Sequence, residues 1–245
     1  MIHLRQSFIG IAVIGLLLTA GCGRPLTIPT LPGQPRPSDV PIKPQDVTDF
    51  AQLYTLNCAG CHGTDGKGSG ALALANPVYL RIVSDATISK VTTLGLPGTL
   101  MPAFALSAGG SMTDSQIAIV VSGIRQWATA TPAVGPTPPP YAAGAVTGDA
   151  ARGATAYTTF CQSCHGPEGR GAPKVGSIVD TSFLALVSDQ SLRSTIIAGR
   201  PDRGHPDWSH CVEGQALTDQ QVTDVVTWLA NQRSSTPGNP YPLKP

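Results

Sequence analysis

The sequence predicts an all-α protein built from two tandem domains that share one fold. The first observation is an internal repeat: a six-residue motif at residues 58–63 recurs at residues 161–166, and the flanking segments align at an almost constant offset. The second is helical periodicity, seen in the apolar residues Ile117, Val120 and Ile124, which are spaced by one helical turn. The third is a Pro-rich segment between the two copies, which marks a domain boundary.

Composition divides the chain into segments. They are a signal (1–21), a Pro-rich tether (22–45), domain one (46–130), a Pro-rich linker (131–147), domain two (148–233) and a Pro-rich tail (234–245). The linker predicts that the two domains fold independently of each other. The net charge is +1 and charged residues make up 13% of the chain, so nothing indicates a nucleic-acid partner.

The repeated motif is Cys-X-X-Cys-His-Gly. Thiols at positions i and i+3 lie one helical turn apart, so both can add to the vinyl groups of one haem, and the next residue, His, falls under the iron. One copy could also be a redox dithiol or half of a zinc site, but zinc-binding Cys pairs usually lie about 12 to 20 residues apart. Cys61 and Cys161 are 100 residues apart. The motifs therefore predict two covalently bound haem c groups, with thioether bonds to Cys58, Cys61, Cys161 and Cys164 and proximal iron ligands His62 and His165.

Each copy resembles a class I cytochrome c domain. The resemblance covers about residues 44–233, most of the chain after its signal. It implies two tandem class I cytochrome c-like domains, each with one haem, in a di-haem cytochrome c. A pair of covalent haems would also supply apolar core that such small domains otherwise lack.

The helices of domain one follow from local signals. A helix over residues 50–58 is expected to lead into the first motif. A second helix is expected after Ser84, which is a suitable N-cap, and a loop is expected over residues 95–104. The last helix is predicted to start at Thr113, where Gln116 completes a possible capping box.

The loop of domain one carries the candidate sixth ligand of the first iron. In class I cytochromes this ligand is a Met, commonly followed by Pro. Met101 precedes Pro102 and follows His62 by 39 residues, so the resemblance implies that it is the ligand. The alternative is that Met101 fills a gap in the core. Met112 lies beside the start of the last helix and is a weaker candidate.

Domain two departs from this pattern because no Met follows His165. The two loops align at an offset of 104, which places His205 opposite Met101 and predicts His205 as the sixth ligand of the second iron. His210 is the rival, and an open or water-ligated iron is a third possibility. Cys211 is left over, as a free thiol, an intermolecular bridge or an iron ligand. The alignment rests on Gly95, Pro97 and Pro102, which match Gly199, Pro201 and Pro206.

The repeat also predicts how the first and last helices of each domain cross. Class I cytochromes cross these helices closely, often with a Gly at the contact. Domain two offers Gly153 and Trp228, and the equivalent positions in domain one are Phe50 and Gly123. We expect each pair to fill the same crossing, with the bulky residue on opposite helices. The alternative is a coincidence at surface positions.

The N-terminus carries export signals. Residues 8–20 form an apolar run of 13 residues, too short to span a bilayer, and it ends in Leu-Thr-Ala-Gly before Cys22. This resembles a bacterial lipoprotein signal, which implies lipidation of Cys22 and a membrane anchor on the periplasmic side. The alternative is an ordinary secretory signal that leaves Cys22 free. The tether either extends as polyproline II or lies along a partner subunit.

Electron transfer is the leading function, because protein ligands on both sides of each iron leave no place for a substrate. A Met ligand raises the potential of a haem, so electrons are predicted to run from the second haem to the first. Expected partners are redox proteins in or at the membrane: a quinol-oxidising complex, a terminal oxidase or a photosynthetic reaction centre. The protein would serve them as a shuttle or as a fixed subunit. The alternative is a di-haem redox enzyme with a reactive second haem.

Overall fold

The structure is a computed structural model that describes Gly33, residues 41–130 and residues 135–235. The predicted signal, Cys22, most of the tether and most of the tail lie outside these residues. The chain divides into two compact units, Met1–Ile42 and Lys43–Pro245, and the second unit contains both predicted domains. Among the described residues, no helix is both long and apolar enough to cross a membrane.

Domain one is helical, as predicted. Its last helix, α5, is the longest, and an apolar stripe along it faces the core. The short helix α2 carries the end of the haem-binding motif and follows α1 without a break other than Cys58. The helices are α1 (Phe50–Asn57), α2 (Ala59–His62), α3 (Pro77–Ile82), α4 (Asp85–Leu94) and α5 (Asp114–Ala130).

Domain two repeats this order of elements. In the described part of both domains, β-structure is limited to isolated bridges, so the all-α prediction is confirmed. The ligand loop contains one turn of 3-10 helix, Pro201–Arg203. The helices are α6 (Ala150–Phe160), α7 (Gln162–His165), α8 (Thr181–Leu186), α9 (Asp189–Ala198) and α10 (Asp219–Ala230).

The predicted helix starts are confirmed by their caps. The Ser84 hydroxyl accepts a hydrogen bond from the Thr87 amide at 3.1 Å. At the start of α5, the Thr113 hydroxyl accepts from the Gln116 amide at 3.2 Å and the Gln116 side chain accepts from the Thr113 amide at 3.0 Å. This reciprocal pair is a capping box, and Thr218 with Gln221 forms another at the start of α10.

The predicted helix crossing is also confirmed. The Phe50 ring lies against the backbone of Gly123, where a Cβ atom would overlap it. In domain two the small residue is on the other helix: a Cβ atom at Gly153 would lie 2.8 Å from the Cβ of Trp228. In domain one the glycine faces the Phe50 ring, whereas in domain two it faces the Asp224 backbone and the Cβ of Trp228. The glycine and the aromatic residue have therefore exchanged helices between the domains.

An indole covers the equivalent Tyr in each domain, although it comes from different positions. The Trp127 ring lies edge-on to the Tyr54 ring with centroids 5.1 Å apart, and the Trp228 ring lies 4.5 Å from that of Tyr157. At the offset of 105 that relates α5 to α10, Trp228 aligns with Gly123 and not with Trp127. The two indoles therefore lie one helical turn apart in the alignment, yet each covers the equivalent tyrosine of its own domain.

The two domains share a buried interface. The Asn76 side-chain amide, 5% exposed, donates a hydrogen bond to the Ala198 carbonyl at 2.8 Å. Val78 and Ile82 of α3 pack against an apolar cluster of domain two. That cluster consists of Phe160, Ile197, Trp208, Leu217 and Val222.

The described part of the linker, residues 135–147, is held by side chains of both domains. Arg81 of domain one donates to the carbonyl of Pro136 at 2.9 Å, and Arg193 of domain two donates to that of Pro140 at 2.8 Å. The Tyr141 ring lies edge-on to that of Tyr79, with centroids 6.5 Å apart. The linker therefore lies along both domains, as a Pro-rich segment can when it runs as extended chain over a packed surface. Independent folding of each domain stays a prediction.

Candidate haem sites

Each haem-binding motif is held by a tyrosine and a glycine. The Tyr54 hydroxyl donates to the Gly63 carbonyl at 2.9 Å, and the Tyr157 hydroxyl donates to the Gly166 carbonyl at 2.5 Å. Gly63 has φ +82°, and a Cβ there would lie 2.7 Å from the Gly68 carbonyl oxygen. The chain can therefore turn sharply after the motif only because this residue is glycine.

The motif cysteines are free thiols. Cys58 is buried, Cys161 is half-buried, and both Cys61 and Cys164 are exposed. Burial raises the pKa of the Cys58 thiol to about 11 and that of Cys161 to about 12. Both buried thiols are therefore protonated at neutral pH. Within each motif the two cysteines flank the same helical turn, which suits thioether attachment at two points of one haem.

His62 is oriented by its ring nitrogen Nδ1, which lies 2.7 Å from the Leu72 carbonyl oxygen. A carbonyl oxygen can only accept, so Nδ1 carries the proton and Nε2 keeps its lone pair for a metal. Burial lowers the pKa of His62, which keeps the ring neutral. No local spacing in the sequence marks Leu72 as the hydrogen-bond partner of His62, so only the structure reveals this contact.

His165 and His205 lie next to each other. Their ring centroids are 5.7 Å apart. Two neighbouring imidazoles could both serve as ligands of one haem iron. In the described part of the chain, the Nδ1 atoms of both rings are buried without a hydrogen-bond partner. Burial lowers the pKa of both residues, so both imidazoles are neutral.

His210, the rival ligand, points elsewhere. Its side chain is 74% exposed, and its Nδ1 lies 2.7 Å from the Asp207 carboxylate. Cys211 is half-buried and donates through its sulfur to the Asp207 carbonyl at 3.3 Å. Its side chain packs in the same apolar cluster as that of Cys161, and burial raises its pKa to about 11. Cys211 is thus a protonated thiol beside the second motif.

The two Met candidates of domain one have different surroundings. Met101 is half-buried on the predicted loop, where its carbonyl accepts from the Leu96 amide at 3.0 Å and its amide donates to the Thr99 hydroxyl at 3.2 Å. Met112 is 2% exposed and belongs to the core of domain one. The loop thus presents Met101, whereas Met112 is already used in packing.

These donors fit haem c. Free thiols at i and i+3 suit thioether attachment, and neutral imidazole and thioether groups suit haem iron. The closeness of the His165 and His205 rings is further evidence of fit, since it brings two neutral imidazoles together beside the second motif. The residues that would hold haem are Cys58, Cys61, His62 and Met101 in domain one and Cys161, Cys164, His165 and His205 in domain two.

Comparison with known proteins matches each domain to a cytochrome family. The cytochrome c family matches residues 150–233, and the family of cbb3-type cytochrome c oxidase subunit III matches residues 45–122. The cbb3-type cytochrome c oxidase subunit CcoP of Rubrivivax gelatinosus is 30% identical over 136 residues. That match covers 55% of this chain and 38% of the relative.

Among solved structures, a chain of the reducing HAO-like protein complex of Kuenenia stuttgartiensis matches with a TM-score of 0.43 at 17% identity. The match covers 80% of this chain and 100% of that chain.

Fold, motifs and family matches together define a c-type cytochrome with two cytochrome c domains. More particularly, the chain is a di-haem cytochrome c, with one cytochrome c domain matched over residues 45–122 and the other over residues 150–233.

Proposed function

We propose that this di-haem cytochrome passes single electrons from its second haem to its first and then to a terminal oxidase in the membrane. The observation that carries the proposal is the pairing of His165 with His205, which would occupy both faces of the second iron. With Met101 as partner of His62, the first iron would also be closed. Two haem irons with protein ligands on both faces suit electron transfer, because neither iron has a free coordination position for a substrate.

Ligand identity sets the predicted direction of transfer. Haem supplies the one-electron couple, and the protein tunes its potential through the axial ligands and their surroundings. The thioether of Met101 raises the potential of the first site, and the second imidazole, His205, favours the ferric state of the second. The proton on Nδ1 of His62 is held by the Leu72 carbonyl, which makes that ligand more basic and partly offsets the effect of Met101.

A terminal oxidase is the favoured partner among those that the sequence allows. Support comes from the match of residues 45–122 to cbb3-type oxidase subunit III and from the likeness to CcoP. The chain spans about two fifths of that relative's length, so the assembly into an oxidase is part of the proposal. In the same proposal the protein is exported, and a lipid on Cys22 anchors it to the periplasmic face of the membrane.

Replacing the second ligand tests the ligand set. His205→Met should raise the lower of two midpoint potentials, because a thioether binds ferric iron less well than an imidazole does. His210→Met is the matched control and should leave both potentials unchanged, since its ring faces Asp207. If only His210→Met moves a potential, then His210 is the ligand.

Carbon monoxide distinguishes the carrier from a di-haem enzyme. The reduced native protein should not bind carbon monoxide, since both irons are closed by protein ligands. Binding at the second haem without denaturant would favour a reactive iron and contradict the proposal.

Membrane fractionation tests anchor and partner together. Cys22→Ser should move the cytochrome to the soluble periplasmic fraction, whereas the native protein should stay with membranes and co-purify with an oxidase. A Cys22→Ser protein that stays on membranes after a salt wash would be held by a protein partner instead of a lipid.

A further inference from the structure

Arg200 lies in the loop of domain two that carries the candidate ligand His205, and the backbones of the two residues are hydrogen-bonded to each other. The Arg200 amide donates to the His205 carbonyl at 3.0 Å, and the His205 amide donates to the Arg200 carbonyl at 3.0 Å. Gly199, which has φ +70°, immediately precedes it and ends α9. The backbone at Arg200 and at His205 therefore moves as one unit.

The side chain of Arg200 reaches across the interface to domain one. Its Nη2 donates to the Ser69 carbonyl at 2.8 Å, and its Nε and Nη2 hold the Asp202 carboxylate at 2.9 and 2.7 Å. The two side chains are 17% and 15% exposed, so this ion pair is largely shielded from solvent. Arg203 also donates to the Ser69 carbonyl at 2.8 Å, but it is 65% exposed.

Domain one is shaped to receive this ion pair. A Cβ atom on Gly68 would lie 2.9 Å from the Asp202 carboxylate, so the carboxylate approaches the bare backbone of the loop. The Gly68 amide in turn donates to the His62 carbonyl at 2.9 Å. One short path of hydrogen bonds and contacts therefore joins His205 to His62 through Arg200 and Asp202.

The charge of Arg200 acts on both histidines. The Arg200 guanidinium donates to the carbonyl of Ser69, the neighbour of the Gly68 that is hydrogen-bonded to His62, and the Arg200 backbone is hydrogen-bonded to that of His205. The same cation is therefore close to a candidate iron ligand of each domain. The local charges are those of Arg200, Asp202 and the more exposed Arg203, with Lys67 and Asp65 paired with each other on the neighbouring surface.

We propose that the Arg200–Asp202 ion pair is a positioning element that holds the two haem sites at a fixed separation and sets both of their potentials. The inference rests on the proposed function, since it needs His62 and His205 as iron ligands. A hydrogen-bonded ion pair whose side chains are largely shielded from solvent keeps one geometry, because breaking it leaves an unpaired charge with reduced solvation. The shared position also means that a change of charge there acts on both haems.

The sign of the effect follows from simple electrostatics. A nearby positive charge favours the reduced haem, which carries one more electron, and a nearby negative charge disfavours it. Arg200→Gln leaves the Asp202 carboxylate unpaired, so both midpoint potentials should fall. Asp202→Asn leaves the Arg200 cation unpaired, so both should rise. The double variant restores the net charge and should bring both potentials back toward the native values.

Redox titration of the full-length holoprotein measures these shifts. Each single variant should change the reduction equilibrium of both haems at least threefold, about 28 mV at 59 mV per tenfold change for a one-electron couple. Lys67→Gln is the matched control, because it removes a cation next to Gly68 from a side chain that is 77% exposed. It should produce a smaller shift, since exposed charges are screened by solvent and salt.

The positional part of the inference has its own measurement. Hydrogen exchange at the Gly68 and His205 amides should be faster in both single variants, and electron equilibration between the haems after flash reduction should be slower. Opposite potential shifts with faster exchange would support both parts. Shifts of the same sign in Arg200→Gln and Asp202→Asn, a shift confined to one haem, or unchanged exchange would overturn the inference.

Failure of the proposed function would be recognised in the native protein. Two one-electron waves, together with the effect of His205→Met, establish the ligand set before any Arg200 variant is made. If those hold while the Arg200 and Asp202 variants leave both potentials unchanged, the positioning role is wrong and the carrier function stands.

Discussion

Asn76 joins the two domains while capping a helix, and the repeat provides a way to separate these roles. Its side-chain oxygen accepts from the amides of Val78 and Tyr79 at 2.8 and 3.0 Å, and its nitrogen donates to the Ala198 carbonyl at 2.8 Å. The equivalent residue of domain two is Asp180, whose carboxylate caps α8. Asn76→Asp should therefore keep the cap and remove only the donor to Ala198.

The size of the effect follows from burial. The lost hydrogen bond is worth about 0.5–1.5 kcal/mol, and leaving a buried acceptor unpaired costs about 1–3 kcal/mol, part of which is the same loss. We expect Asn76→Asp to lower the free energy of unfolding by about 2–3 kcal/mol at neutral pH. Asn76 is 5% exposed, so water cannot readily replace the lost partner.

The loss should depend on pH. Burial and the facing Ala198 carbonyl should raise the folded-state pKa of the new carboxyl group by more than the Val78 and Tyr79 amides lower it. Stability contributed by the protonated acid, which can donate to Ala198, is therefore full below the unfolded pKa of about 3.9 and disappears as the pH rises through the folded value.

Chemical denaturation of the holoprotein, followed by far-UV circular dichroism at several pH values, measures both effects. Asp180→Asn is the matched control, because Asp180 is exposed and Asn is an equally good cap. It should change stability by less than about 0.5 kcal/mol. Equal losses in the two variants, or a loss in Asn76→Asp that does not vary with pH, would refute the role of Asn76 at the interface.

Three further predictions concern the packing. Gly123→Ala should destabilise the holoprotein by about 1–3 kcal/mol, because its methyl group would overlap the Phe50 ring, and thermal unfolding measures this. Asp224→Asn should weaken the contact between α6 and α10. Burial opposes its charge, but hydrogen bonds from Arg152 and neighbouring groups lower the pKa of Asp224, so its contribution is present above its ordinary pKa and lost as the pH falls through the lowered value. Native and variant stabilities should therefore converge in acid. Arg193→Met should release the linker and speed its proteolysis, since Arg193 donates to the Pro140 carbonyl; unchanged cleavage would contradict that anchor.

Local spacing made much of this protein predictable. The two motifs and the helix caps at Ser84 and Thr113 depend on residues whose relation is set by helical geometry. The exchanged pair at the helix crossing was predicted from the repeat instead. The repeat allowed predictions beyond local spacing, because aligning two copies of one fold identifies equivalent positions. His205 was singled out in that way, opposite Met101, although neither the loop conformation nor the exposure of His210 was visible in the sequence.

Other contacts between distant segments were decided only by tertiary structure. Arg125 donates to the Leu80 and Val83 carbonyls, and Arg233 donates to those of Leu184 and Val187 in the same way. Arg233 follows Arg125 by 108 positions and not 105, so alignment does not pair them. A long, flexible arginine side chain can reach the same carbonyl groups from positions one helical turn apart. In the same way, Trp127 and Trp228 cover equivalent tyrosines from different positions.

The interface between the domains was likewise absent from the sequence signal. Asn76 looks like an ordinary helix cap, and Arg200 like a solvated loop residue, until the partner domain is in place. Periodicity and capping are properties of neighbours along the chain, so the amino-acid sequence alone determines the helices, the haem-binding motifs and their candidate ligands. The partners of Asn76 and Arg200 depend on how two finished domains pack, a choice made by shape and burial over more than a hundred residues of separation.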